Sequence, residues 1–280
     1  MLLNSSMDFS ELKKTEAIFC DCDGTLLNPE SRLSLRTIKA VKHIKDRIPF
    51  FLCSGRNYPA LIPIYDTLGL QTPMITINGA VIATKDGILS ETDLPVRVVS
   101  EVLTLLEPYN SNLSVSLYVQ KSWWVNNLSN PYLKKEMEVC DAVPNQLFSN
   151  GKEVKDLPVS KLLLIGDEAL ISQLKNQLSF FQEKVQLIRI YPNYLEVCTP
   201  LADKGTGVKA VAEHFHFHLE HILVCGDTMA DEPMFSLAGY KACPKNAAER
   251  IKAISDIQLP SNGEDDIAVL LEKLSLLFSD

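Results

Sequence analysis

Apolar residues recur along this chain in two rhythms. Short continuous runs at 17–20, 49–53, 74–77 and 221–225 have the length of strands buried on both faces. Between them the apolar positions fall three apart, as at Leu35, Ile38, Val41 and Ile44. That spacing predicts a helix over 34–47 with Ser34 as its cap, and a second helix over 58–69 closed by Gly69. The first 80 residues therefore read strand, helix, strand, helix, strand, the alternation of a parallel sheet. The same alternation returns after Asp203: a helix over 205–217, a strand over 221–225, a short helix over 231–238, short strands over 240–243 and 256–259, and a final helix over 267–278.

The middle of the chain has a different texture. Residues 80–83 and 88–90 predict a hairpin around Lys85-Asp86-Gly87. Strands follow over 113–119, 122–125, 161–165, 185–190 and 194–197, with helices over 96–106, 131–139 and 168–180. Paired strands with interposed helices suggest a small α+β domain. The predicted organisation is a core of 1–83 and 201–280 interrupted by an insertion over 84–200. Residues 141–156 give no readable pattern, and Trp123-Trp124, as strand neighbours, must face opposite sides of their sheet.

Composition narrows the class. The 280 residues are 46% hydrophobic and 22% charged, enough for a sizeable core and two domains. Net charge is −8 with no Lys/Arg block, so nucleic acid and anionic membrane surfaces are not expected partners. Residues 1–14 alternate polar and apolar too quickly for a signal-peptide core, and no run approaches the roughly 18 apolar residues of a membrane span. Seven cysteines at irregular spacing form no C-x-x-C pair; Cys20, Cys53, Cys198 and Cys225 read as small buried hydrophobes, and free thiols suit a cytoplasmic setting.

Candidate chemistry sits where the strands end. The run 17–20 leads into Asp21-Cys22-Asp23-Gly24-Thr25. Two carboxylates so close repel unless a cation lies between them or one stays protonated. This suits a Mg²⁺ site with a carboxylate nucleophile beside a carboxylic acid; the alternative is a solvated acidic turn. Ser54-Gly55-Arg56 and Asn78-Gly79 also follow strands, and ligands of such sheets gather beyond the strands' carboxyl ends. His214 and His218 could share a helical face, but no acidic partner in a known ligand pattern accompanies them, so an exposed helix end is the better reading.

Four segments in order complete the picture: Asp21-x-Asp23-Gly24-Thr25, Ser54-Gly55-Arg56, Asp203-Lys204-Gly205, and Gly226-Asp227-Thr228-Met229-Ala230-Asp231. Together they resemble the haloacid dehalogenase superfamily of phosphatases, and more narrowly its Cof-type branch, across nearly the whole chain. Asn78-Gly79-Ala80, Lys245-Asn246-Ala247 and 261–265 also look like that branch. The resemblance implies a Rossmann-like α/β core with an inserted α+β cap that selects the leaving group. It implies Asp21 as nucleophile, Asp23 as acid and base, and Mg²⁺ held by the Asp21 and Asp227 side chains with the Asp23 carbonyl. It implies phosphate held by Ser54, Lys204 and the amides of Cys22 and Gly55. Asp231, Asn78, Thr228, Asn246 and Arg56 would be supporting residues: Asp231 orienting Lys204 or a metal-bound water, and Arg56 reaching substrate or pairing with a rim carboxylate. Ala230 departs from the family's usual Asn and puts one phosphate contact in doubt; Asp266 stands where the family often has Gly and reads as a loop difference.

The expected activity is hydrolysis of small phosphate monoesters, sugar phosphates first, then pyridoxal, flavin or nucleotide-type phosphates. A sugar-phosphate-binding regulator with little turnover and a phosphotransferase are the other readings. The expected partner is a small-molecule phosphate ester, with no nucleic acid and no membrane, and the protein a monomer or weak homodimer.

Overall fold

The computed structural model describes residues 4–5, 8–154, 156–189 and 191–278. The chain is mixed α/β and divides into two compact units. One comprises 1–55, 62–86 and 203–280; the other comprises 56–61 and 87–202.

The first unit is built on a six-stranded sheet. Its spatial order is Asn4–Ser5, Ile257–Gln258, Tyr240–Cys243, Ile222–Cys225, Ala17–Cys20 and Phe50–Leu52. All neighbours run parallel except the antiparallel pair at the first edge. Every residue of the three strands Ala17–Cys20, Phe50–Leu52 and Ile222–Cys225 is buried, which is why they read as unbroken apolar runs. Phe19 and Phe51 stack on one face at 4.5 Å, and Phe51 meets Phe215 and Phe217 edge-on. Val208, Val211 and Ala212 of the helix Lys204–Phe215 join the same core.

The third strand departs from the sequence-based expectation. Met74–Thr76 is not a full member of the parallel sheet. It touches it through a single parallel bridge, Cys53 to Ile75, and pairs antiparallel with Val81–Ala83. The chain reverses between them at Asn78 (φ 51°, ψ 39°) and Gly79 (φ 94°), a tight turn that apolar periodicity cannot announce.

The chain leaves Ala17–Cys20 for Phe50–Leu52 on one side and returns beside it as Ile222–Cys225 on the other. Those two neighbours therefore flank a switch point, where connections diverge and open a crevice beyond the strand ends. Cys20 lies opposite Cys225 in the ladder, and Asp21 N–H donates to the Cys225 carbonyl at 2.9 Å. Asp21 and Gly226-Asp227 thus leave the sheet side by side.

In the second unit six strands run Gln186–Ile188, Tyr194–Cys198, Val159–Ile165, Ser114–Val119, Ser122–Val125 and Gln146–Leu147, antiparallel but for the last pair. Ile190, at the end of the expected strand 185–190, lies outside the described residues. Val115, Leu117, Val119, Leu162, Leu164, Leu195 and Val197 form one face, packed under the helices Val96–Leu106 and Glu168–Leu178. Tyr118, Trp123, Lys161 and Glu196 lie on the other. Trp123 is fully buried against Tyr118, at 6.2 Å, while Trp124 packs on the apolar core. Short elements at Gln146–Leu147, Gly151–Val154 and Glu249–Ile254 carry too few periodic residues to be read from the chain.

Lys161 and Glu196 make a buried ion pair at 2.5 Å, with the Lys161 ammonium 4.9 Å from the centre of the Tyr118 ring. Two charges taken out of water together are tolerated only as a pair. Lys161→Met should destabilise the protein by about 3–5 kcal/mol, because Glu196 is left buried without its cation. Chemical denaturation measures this, and the double variant with Glu196→Leu should recover most of the loss.

Candidate active site

The loop after Ala17–Cys20 does not continue as a strand. Residues Cys22–Leu26 form one wide turn, closed by Leu26 N–H to the Asp21 carbonyl at 3.2 Å and Leu27 N–H to the Cys22 carbonyl at 2.8 Å. The two aspartates therefore do not share a strand face. Asp21 is 5% exposed, whereas Asp23 is exposed in the turn. Gly24 takes φ 83°, and a Cβ there would run into the Asp227 carboxylate. Only glycine fits both requirements.

Lys204 opens the helix Lys204–Phe215, placed by a capping box in which Thr206 N–H donates to Asp203 at 2.7 Å and Asp203 N–H donates to the Thr206 hydroxyl at 2.9 Å. A cation in the first turn opposes the helix dipole. It is held there by two carboxylates: the Lys204 Nζ lies 2.5 Å from Asp21 Oδ1 and 2.5 Å from Asp231 Oδ1. Lys204 is 3% exposed and Asp231 fully buried.

The other Asp231 oxygen, Oδ2, accepts from Asp227 N–H at 3.0 Å, Thr228 N–H at 2.8 Å and the Thr228 hydroxyl at 3.2 Å. Asp231 thus ties Lys204 to the loop that carries Asp227. A Cβ on Gly226 would sit 2.5 Å from the Asp231 Cγ, so this loop too is shaped around glycine. Asp227 Oδ1 accepts from the Thr25 hydroxyl at 3.0 Å, and the Asp227 carbonyl from Ala248 N–H at 2.8 Å.

Asp21, Asp227 and Asp231 form an acidic cluster whose ligand oxygens lie within 4.8 Å of one another. Burial pushes the Asp21 carboxyl well up, opposed by Lys204. Burial, then the Asp231 charge, raises Asp227 to about 6, offset by the Thr25 hydrogen bond. Burial works against the Lys204 charge, but Asp21 and Asp231 outweigh it and hold the ammonium well above its ordinary range. Asp21 and Asp227 are within hydrogen-bond reach, so a proton or a cation belongs between them. Asp231 already spends both oxygens, which leaves Asp21 and Asp227 as the available donors.

The remaining sequence candidates fall in three places. Ser54, 1% exposed, Gly55 and Asn78 meet at one loop pair: Asn78 N–H donates to the Ser54 carbonyl at 2.9 Å, and a Cβ on Gly55 would stand 3.1 Å from the Asn78 amide oxygen. Asn246 donates to the Gly24 carbonyl at 2.8 Å and accepts from Asn262 N–H at 3.0 Å. Asn262 in turn donates to the Leu27 carbonyl at 3.0 Å, so two asparagines brace the turn that contains Cys22 and Asp23. Arg56 begins the segment 56–61, which groups with the second unit, and its charge there acts on Cys140. Ala230 is exposed on the short turn Met229–Asp231.

Sequence reasoning gave no role to Asn262, Thr25 or Asp266. Asp266 is not a loop residue: it starts the helix Asp266–Leu276 and is 2% exposed. Its Oδ2 has no hydrogen-bond partner among the described residues. Burial raises its carboxyl to about 7. An acid at a helix start looks routine in sequence, which hides this.

The family model for haloacid dehalogenase-like hydrolases matches residues 18–271. An α/β hydrolase with its acidic crevice at a sheet switch point is thus a member by sequence as well: the chain belongs to the haloacid dehalogenase-like hydrolases, and it is a phosphatase of the Cof-type branch. It is similar to the phosphatase YwpJ of Bacillus subtilis, 25% identical over 283 residues, covering 92% of this chain and 99% of that one. A haloacid dehalogenase-like hydrolase from Bacteroides thetaiotaomicron superposes with TM-score 0.84 at 26% identity, covering 93% of this chain and 99% of that one. The subclass IIB sugar phosphatase BT4131 shares the fold at TM-score 0.76 and 21% identity, covering 94% and 100%. Among the described residues no helix is long and apolar enough to cross a membrane.

The raised carboxyls set a pH dependence. Asp227 at about 6 and Asp266 at about 7 keep protons that the unfolded chain releases near the ordinary 3.8. The folded form then binds more protons than the unfolded form between about pH 4 and pH 7, so stability falls as pH rises through that window. Asp266→Asn should leave Tm nearly unchanged at pH 4 and raise it at pH 8, by a stability gain on the order of a few kcal/mol. Thermal unfolding of both proteins across pH measures the difference; an equal effect at both pH values would refute the assignment.

Proposed function

We propose that the protein is a Mg²⁺-dependent phosphatase that hydrolyses small phosphate monoesters, sugar phosphates first, through an aspartyl-phosphate intermediate. The observation that carries this reading is the buried chain Asp21–Lys204–Asp231 at the switch point, with Asp227 against Asp21. The sugar class is supported by the fold shared with BT4131, named a sugar phosphatase.

The donor set fits Mg²⁺. Asp21 and Asp227 offer hard carboxylate oxygens, and the backbone carbonyl of Asp23 would add a third. When bound, the ion offsets the negative charge that otherwise keeps a carboxylate from a phosphate ester. Asp21 attacks phosphorus, the bond to the ester oxygen breaks, and Asp23 supplies the proton to the leaving alkoxide. Asp23 then takes a proton from water, which cleaves the aspartyl phosphate and releases inorganic phosphate. Its exposed position in the turn suits a group that must exchange protons with substrate and water.

Ser54, Lys204 and the amides of Cys22 and Gly55 bind the phosphoryl oxygens, donors aimed at developing charge. Asp231 positions Lys204, Thr228 supports Asp231, and Asn246 and Asn78 shape the two loops that present the amides. Seven cysteines without a disulfide support action in the cytoplasm.

Asp21→Asn should lower turnover of an aryl phosphate with Mg²⁺ by more than about 10⁴-fold while the circular dichroism spectrum is unchanged. Near-native Mg²⁺-dependent activity in that variant would remove Asp21 as nucleophile. A phosphate-ester panel, read as kcat/KM, should rank sugar phosphates above pyridoxal, flavin and nucleotide-type esters. Absence of turnover across the panel would favour the regulator reading.

A further inference from the structure

A second cluster of metal-ligating side chains lies at the other end of the same sheet. Glu16 precedes the strand Ala17–Cys20, and His221 precedes the neighbouring strand Ile222–Cys225, with Ala17 opposite Ile222 in the ladder. The helix expected to run to Phe217 stops at Phe215, because His216 takes a left-handed φ of 60°. His214 and His218 therefore do not share a helical face. The chain turns instead, held by Phe217 N–H to the Ala212 carbonyl at 2.9 Å, and delivers His218 to Glu16.

Both imidazoles approach one carboxylate oxygen with the same ring atom. His218 Nδ1 is 3.0 Å from Glu16 Oε1, and His221 Nδ1 is 3.1 Å from it. All three ligand atoms lie within 4.8 Å of one another. A tetrahedral zinc ion, with bonds near 2.0–2.1 Å, keeps neighbouring donors about 3.3 Å apart. The backbone fixes the geometry before any ion arrives: Glu16 N–H donates to the His221 carbonyl at 2.9 Å, His218 N–H to Glu16 Oε2 at 2.7 Å, and His221 N–H to the His218 carbonyl at 2.9 Å.

We propose that Glu16, His218 and His221 form a three-ligand zinc site that clamps the amino ends of the two central strands. Two imidazole nitrogens and one carboxylate suit Zn²⁺ and disfavour Mg²⁺, which prefers an all-oxygen shell. The His218 side chain is 65% exposed, so water completes the fourth position. Asp21 and Asp227 leave the opposite ends of the same two strands, so the two metal-ligating sites are separate.

The test uses the full chain at pH 7.5 with excess Mg²⁺ and Zn²⁺ as the probe, by titration calorimetry and thermal unfolding. One equivalent of Zn²⁺ should bind and raise Tm by several degrees. His218→Asn, at an exposed position, should weaken binding more than about tenfold, and the double variant with His221→Asn should abolish both binding and the Tm rise. Mg²⁺-dependent turnover by the double variant should stay within twofold of the parent, about 0.4 kcal/mol. Co²⁺ should give a visible absorption band in the parent that the double variant lacks. Zinc binding undiminished in the double variant would place the ion on the acidic cluster or the thiols and overturn the proposal, as would failure of Zn²⁺ to bind the parent.

Discussion

One buried ammonium group organises the core of this protein. Lys204 is excluded from water between Asp21 and Asp231, and its ammonium pairs with both carboxylates. Each partner comes from a different loop, so the ion triad also fixes the strand that carries Asp21, the helix that begins at Lys204 and the turn that follows Ile222–Cys225. With Asp227 added, the group carries more negative charge than positive. The fold holds this excess at a switch point of the sheet, where the connections of neighbouring strands diverge.

The backbone around the triad shows what that concentration of charge requires. Gly24 faces Asp227 and Gly226 faces Asp231 at distances that no side chain could share. Asn246 and Asn262 brace the Cys22–Leu26 turn from outside, using amide groups that add no charge to an already acidic region. The second unit solves a related problem differently: Lys161 and Glu196 neutralise each other beneath an aromatic ring.

Much of this was legible in the chain. Strands such as Ala17–Cys20 and Ile222–Cys225 declare themselves because both faces are buried and no polar residue interrupts them. The motif residues Asp21, Lys204, Asp227 and Asp231 stand at strand and helix ends, where chemistry is expected. What stayed hidden depends on long-range geometry. The antiparallel return of Met74–Thr76 follows from positive φ values at Ile77, Asn78 and Gly79. The burial of Asp266 depends on what the last helix packs against, and its sequence context resembles any acidic helix start. The approach of Glu16 to His218 and His221 joins residues about two hundred positions apart through a strand pairing that composition does not encode.

The register of Cys20 opposite Cys225 has a further consequence. The separation of Asp21 and Asp227 is set by one rung of a hydrogen-bond ladder, not by the length or path of the chain joining them. The segment 87–202, which lies in the chain between those strands, can therefore lengthen, shorten or be exchanged while the two carboxylates keep their spacing. A lineage built on this register is free to remodel how it recognises molecules without rebuilding how it reacts with them.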